Sequence, residues 1–84
     1  MAETLYVIQY FDNNEWVIAD IKSVRRDSSN HHKCEIARIA SQAYFDAVQW
    51  DINRPVRLLT TNRDDDGNAT RDIVLCQHSV FVMV

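Results

Sequence analysis

Asn62-Arg63-Asp64-Asp65-Asp66-Gly67-Asn68 sets three consecutive carboxylates beside the only glycine in the chain. Oxygen donors at alternate positions followed by glycine open a calcium-binding loop, in which Asn62, Asp64 and Asp66 would wrap a hard cation. The pattern is incomplete here. Ile73 stands where the bidentate glutamate belongs, and apolar strand-like runs rather than helices flank the segment. An Asp-Gly turn at the tip of a hairpin accounts for the same residues. A third use is docking: Asp64, Asp65, Asp66 and Asp72 repel one another, and the arginines or lysines of a basic partner relieve that repulsion.

Two other clusters carry chemistry. His31-His32-Lys33-Cys34 and Cys76-Gln77-His78 hold the nitrogen and sulfur ligands that zinc prefers, with Cys76 and His78 on one strand face. Neither spacing is an established zinc signature, so the expectation is that no metal or cofactor is bound. Cys34, near a helix start, has the setting for a lowered thiol pKa, but no base or orienting group accompanies it, and no catalytic residue is assigned. Lys22, Arg25, Arg26 and Lys33 form a local basic patch in an acidic chain. Without the aromatic-basic interleaving of an RNA-binding sheet, they read as a solvated loop, and direct nucleic-acid binding is not expected.

The elements that must position these residues are legible from periodicity. Leu5 to Phe11 and Trp16 to Val24 are rich in β-branched and aromatic residues around the turn formers Asp12-Asn13-Asn14-Glu15, which predicts a β-hairpin over 4–24. The first strand is apolar on both faces apart from Gln9, which suits an inner strand. In the second, Val17, Ala19 and Ile21 alternate with Ile18, Asp20 and Lys22, so the former three are a candidate core face. Asp27-Ser28-Ser29-Asn30 offers helix caps, and a helix is predicted over 33–51 with Ile36, Ile39, Ala40, Ala43, Ala47 and Trp50 on one stripe and Tyr44 beside it. Pro55 ends it. Val56 to Thr61 and Ile73 to Val84, the latter bent near His78-Ser79, predict a second hairpin over 56–84. The fold class is therefore α+β: a single ββαββ domain, 1–84, with a mainly antiparallel four-stranded sheet and one helix packed on one face.

Bulk properties set the frame. Eighty-four residues with 46% hydrophobic content and one proline make one modest core. The formal net charge of −3 disfavours non-specific attraction to nucleic acid or an anionic membrane. Two cysteines are too few for a disulfide scaffold, Met1-Ala2-Glu3-Thr4 lacks the marks of a signal peptide, and Val80 to Val84 is too short to span a bilayer. These features place the chain in the cytoplasm.

Two aromatic positions stand out. Phe45 falls about 180° from the apolar stripe, among Arg38, Ser41 and Gln49, where it is either covered by a loop or an interface anchor. Trp16 and Ile18 fall on the sheet face that a single helix leaves bare, which calls for a partner or a homodimer through the sheet. The uncharged end Ser79-Val80-Phe81-Val82-Met83-Val84 is an aggregation hazard on an open edge, met by a central position or by strand pairing with a second copy or target.

The run Tyr6-Val7-Ile8-Gln9-Tyr10-Phe11-Asp12, then Glu15-Trp16-Val17, an alanine-containing helix and Pro55-Val56-Arg57-Leu58, resembles small phage-encoded ββαββ accessory proteins over most of the chain in pattern. That resemblance implies an inhibitor of host machinery of the anti-defence, anti-CRISPR-like type. It carries over no functional residue, because no family motif is present. The reading that results is a small non-enzymatic binding protein. It occludes a basic surface on a protein partner, probing a host nucleic-acid-handling or defence complex with Asp64, Asp65, Asp66, Asp72, Phe45 and Trp16. The alternatives are a zinc- or calcium-binding regulator and a small nucleic-acid-binding module.

Overall fold

The computed structural model describes residues 2–80. β1 (Glu3–Asp12) and β2 (Glu15–Arg25) form the first hairpin, α1 (Asn30–Trp50) follows, and β3 (Val56–Arg63) and β4 (Ile73–His78) form the second. The strands make one antiparallel sheet in the order β2-β1-β3-β4, so the fold is the α+β ββαββ arrangement that the pattern predicts. β1, apolar on both faces, is an inner strand between β2 and β3. The first turn is tighter than four residues: Asp12 pairs with Glu15, and Asn13 and Asn14 take φ of 50° and 63°. Asparagine tolerates that left-handed region, and the twist of such a turn matches the twist of the strands it joins.

Ser29 caps α1, its Oγ accepting from the His32 amide at 3.1 Å. The helix therefore starts three residues before the predicted Lys33, and His31 and His32 belong to its first turn. At the other end Asp51 is extended and holds the next turn by accepting from the Asn53 amide at 3.0 Å.

The core lies between α1 and one sheet face. Ile8, Val56 and Leu58 come from the sheet and Ala40 and Tyr44 from the helix, with Tyr6, Tyr10, Ala43 and Ala47 packed around them. Ala40 is wholly buried, and its small side chain lets the helix lie close to Ile8 and Leu58. Each fully buried aliphatic side chain contributes about 1.5–3 kcal/mol. Burial holds the Tyr44 phenol above its ordinary pKa, with the Cys76 thiol a lesser contributor. Trp50, predicted on the buried stripe, is instead 88% exposed. Trp50 is the last residue of α1, and the chain leaves the helix at the extended Asp51 immediately beyond it.

A second correction concerns β2. Its register against β1 shifts between Ile8 and Gln9, with Asp20 opposite Ile8 and Ile18 opposite Gln9. Ala19 is the extra residue of a β-bulge, and a bulge reverses the side-chain alternation beyond it. Val17, opposite Tyr10, keeps the helix face, whereas Ile21, opposite Val7, joins Ile18 on the bare face. The predicted core set Val17, Ala19 and Ile21 is thus split, and Ile21 is 48% exposed.

β4 is also shorter than predicted. Its last pair joins His78 to Val56, the first residue of β3, and Pro55 beyond has no amide hydrogen for the ladder. Ser79 and Val80 follow outside the strand, and Phe81 to Val84 lie outside the described residues.

The split of β2 predicts unequal costs for like substitutions. Ile8→Ala should lose about 2–5 kcal/mol of stability in urea denaturation, the usual range for emptying a buried aliphatic site. Ile21→Ala should lose less than about 1 kcal/mol. Equal losses would contradict the bulge.

Candidate interaction surface

The acidic segment folds as a closed turn between β3 and β4. Asp64 Oδ1 accepts from the amides of Asp66 at 3.0 Å and Asn68 at 2.9 Å, and the Asp64 carbonyl accepts from the Gly67 amide at 3.0 Å. Gly67 sits at φ 84°, a conformation that glycine adopts without penalty. Arg63 bridges to Ala69, the Thr70 amide donates to the Asn62 carbonyl at 2.8 Å, and Thr61 Oγ1 donates to the Thr70 carbonyl at 2.9 Å. The chemistry of this loop is therefore local: its first carboxylate stands in for backbone acceptors and fixes the turn.

Its neighbours differ. Asp65 Oδ1 accepts from the Ala2 amide at 2.7 Å, tying the loop to the start of the chain. Among the described residues, the exposed carboxylates of Asp66 and Asp72 have no partner. The four acids thus divide into a turn-former, a tether and two that face solvent. No three His, Cys, Asp or Glu side chains among the described residues converge as metal ligands. His31, His32 and Cys34 lie on the first turns of α1, while Cys76 and His78 lie on β4, and both thiols are free and exposed. His78 Nε2 is 2.8 Å from the Ile52 carbonyl.

Two of the four cations of the basic patch, Lys22 and Arg25, are paired with carboxylates. Arg25 grips Asp27 through Nε at 3.1 Å and through its terminal nitrogen at 2.9 Å. Lys22 pairs with Asp20 at 3.3 Å. Arg38 and Glu35 pair along the helix, an exposed contact that draws the Glu35 carboxyl below its usual pKa through the hydrogen bond and the charge of Arg38.

The sheet face away from α1 carries Val7, Ile18, Ile21 and Leu59 by register; Ile18 and Ile21 are about half exposed, whereas Leu59 is buried. At one end Trp16 makes an edge contact with Phe11, with centroids 5.3 Å apart, and lies 4.0 Å beneath the Arg57 guanidinium. Arg57 Nε in turn donates to Gln9 Oε1 at 2.7 Å. Trp16 is therefore half-covered by the chain's own cation rather than offered bare, and cation–π pairing of this kind competes with a partner. The opposite end carries Arg63 and Glu3, 3.5 Å apart. Phe45 lies on the other side of the molecule, 57% exposed, with its ring 5.8 Å from that of Tyr44 in an edge contact.

The predicted site residues are thus not one constellation. Asp64, Asp65, Asp66 and Asp72 share the β3–β4 loop region, Trp16 lies on the bare sheet face, and Phe45 is on the helix. Sequence reasoning missed Ile21 on the bare face and the exposure of β4 from Ile73 to Gln77. The bulge at Ala19 has no glycine or proline to announce it, and the continuous apolar run Ile73-Val74-Leu75 points to a buried strand rather than an exposed one. Comparisons with protein-family models, curated proteins and solved structures returned no match. No helix among the described residues is long and apolar enough to cross a membrane.

The loop geometry separates two adjacent acids. Asp64→Ala should lower stability by about 1 kcal/mol, the usual cost of removing a capping or turn-forming side chain. Asp66→Ala should leave the melting temperature unchanged. The reverse order in thermal melts would contradict the assignment.

Proposed function

We propose that this chain is a non-enzymatic binding protein that acts by contact, with the bare sheet face as its anchor and the β3–β4 loop as a charged rim. The observation that carries the reading is the apolar face around Ile18 and Ile21, which α1 does not cover. Exposed apolar residues grouped on one face of a monomer are often an interaction site.

The partner favoured by the charge is a protein with a basic rim around an apolar centre. Asp66 and Asp72 supply carboxylates that no internal cation occupies, in a chain with a formal net charge of −3. Arginines or lysines that otherwise hold nucleic-acid phosphate are suited to them. The anti-defence, inhibitory character rests on the resemblance in pattern to phage-encoded accessory proteins. A cytoplasmic setting and a second copy of the chain joined through the sheet belong to the same proposal. A metal-dependent regulator draws no comparable support from the separated His and Cys clusters.

The test is affinity capture from a host lysate followed by titration of the purified partner. Ile18→Asp combined with Ile21→Asp should weaken binding at least about 100-fold, as for the loss of a desolvated interface centre, with folding retained by circular dichroism. Asp66→Asn with Asp72→Asn should flatten the salt dependence of binding. Affinity and salt dependence unchanged in both variants would overturn the proposal.

A further inference from the structure

Arg57 is held in place without a counter-ion. Its guanidinium carbon lies 4.0 Å from the centroid of the Trp16 ring, and its Nε donates to Gln9 Oε1 at 2.7 Å. Register explains the geometry: Arg57 pairs with Gln9 and Gln9 with Ile18, and the next pair on that face is Phe11 with Trp16. The side chain therefore reaches across β1 to the aromatic end of the bare face. Arg25, Arg38 and Arg63 each meet a carboxylate, of Asp27, Glu35 and Glu3 respectively. Among the described residues, the two terminal nitrogens of Arg57 have no acceptor. The acids of the first turn face away. Asp12 and Glu15 form the pair beyond Phe11 and Trp16, and strand alternation sends them to the helix face.

Covering such a group carries a chemical condition. A guanidinium has five N–H donors, and Gln9 takes one of them. Burying the others without an acceptor leaves an unpaired charge out of water, which costs more than the neighbouring apolar contacts return. We propose, on the reading that the bare face is a contact surface, that the partner sets one Asp or Glu carboxylate on the terminal nitrogens of Arg57. The carboxylate sits inside an otherwise apolar contact with Phe11, Trp16 and Ile18. The terminal N–H groups match its planar oxygens, and a head already held by Trp16 and Gln9 loses little freedom on binding.

Charge selects a single carboxylate over a polyanion. The chain has a formal net charge of −3, and Asp12 and Glu15 stand exposed beside the aromatic end. A string of phosphates is repelled there, whereas one carboxylate meets one cation. Charge also orients the partner. Arg57 lies near the start of β3 and the acidic loop beyond its end, about 20 Å away along the strand. An acid over Arg57 and cations at Asp66 and Asp72 therefore occupy opposite ends of the contact, which favours one docking direction and penalises its reverse.

A library of random displayed peptides, selected on the immobilised protein, tests this with a defined probe. Wild type should enrich sequences with one Asp or Glu among apolar residues, and Arg57→Gln should keep the apolar preference while losing the acid. For a synthetic peptide from that set, changing the acid to its amide should weaken binding to wild type at least about tenfold, and to Arg57→Gln less than about twofold. The peptide-side change keeps the test independent of how well Arg57→Gln folds, which circular dichroism checks. Acid-free peptides bound equally by both proteins would overturn the proposal and leave the bare face a contact surface. An empty selection would also overturn it. So would a single-stranded oligothymidylate bound more tightly than any peptide and lost with Arg57→Gln, because the guanidinium then serves phosphate. Peptides held through Arg57, beside a captured partner indifferent to Ile18→Asp combined with Ile21→Asp, would count against the proposed function alone.

Discussion

One helix has one apolar stripe, and a sheet has two faces. In this chain α1 closes Ile8, Val56 and Leu58 beneath Ala40 and Tyr44, while Val24 and Leu59 are buried outside that cluster. Everything on the other side of β1 and β3 is left to be covered by side chains within the sheet or by another molecule. Arg57 covers part of it by lying over Trp16, but Ile18 and Ile21 remain about half exposed. The stability of the domain and its capacity to bind thus come from the same arrangement, with the first drawn from the face that α1 meets and the second from the face it does not.

The bulge at Ala19 sharpens that division. Without it, Ile21 would point at the helix together with Val17, and the bare face would lose its second large aliphatic on β2. With it, β2 becomes a poor edge for pairing while its apolar residues gather on the open side. Charged Asp20 and Lys22 follow the irregularity and pair with each other. β4 lacks the charges but has an irregularity of its own, with Leu75 the extra residue between Val74, opposite Leu59, and Cys76, opposite Leu58.

Much of this was legible in the sequence because it rests on local chemistry. The Asn13-Asn14 turn, the Ser29 cap, the stop at Pro55 and the inner position of the two-sided apolar β1 all follow from residue types and period. The Asp-Gly turn reading of the acidic segment agrees with the internal hydrogen bonds of Asp64. What escaped detection depends on tertiary context. Trp50 fits the helical stripe, but the period cannot reveal that the helix ends there and leaves it 88% exposed. Ala19 carries no mark of an inserted residue, and a single shift reassigns each side chain beyond it. The division of labour among Asp64, Asp65 and Asp66 is set by which amides the folded loop brings near. Identical residues therefore acquire different roles.

The central claim is that the surface left open by α1 is a contact surface. Amide hydrogen exchange of the chain with and without its captured partner tests it most directly. The account predicts that amides of β1 and β2 around Ile18 and Ile21 gain protection on binding, while those of α1 do not change. Protection confined to α1, with β1 and β2 unchanged, would contradict it.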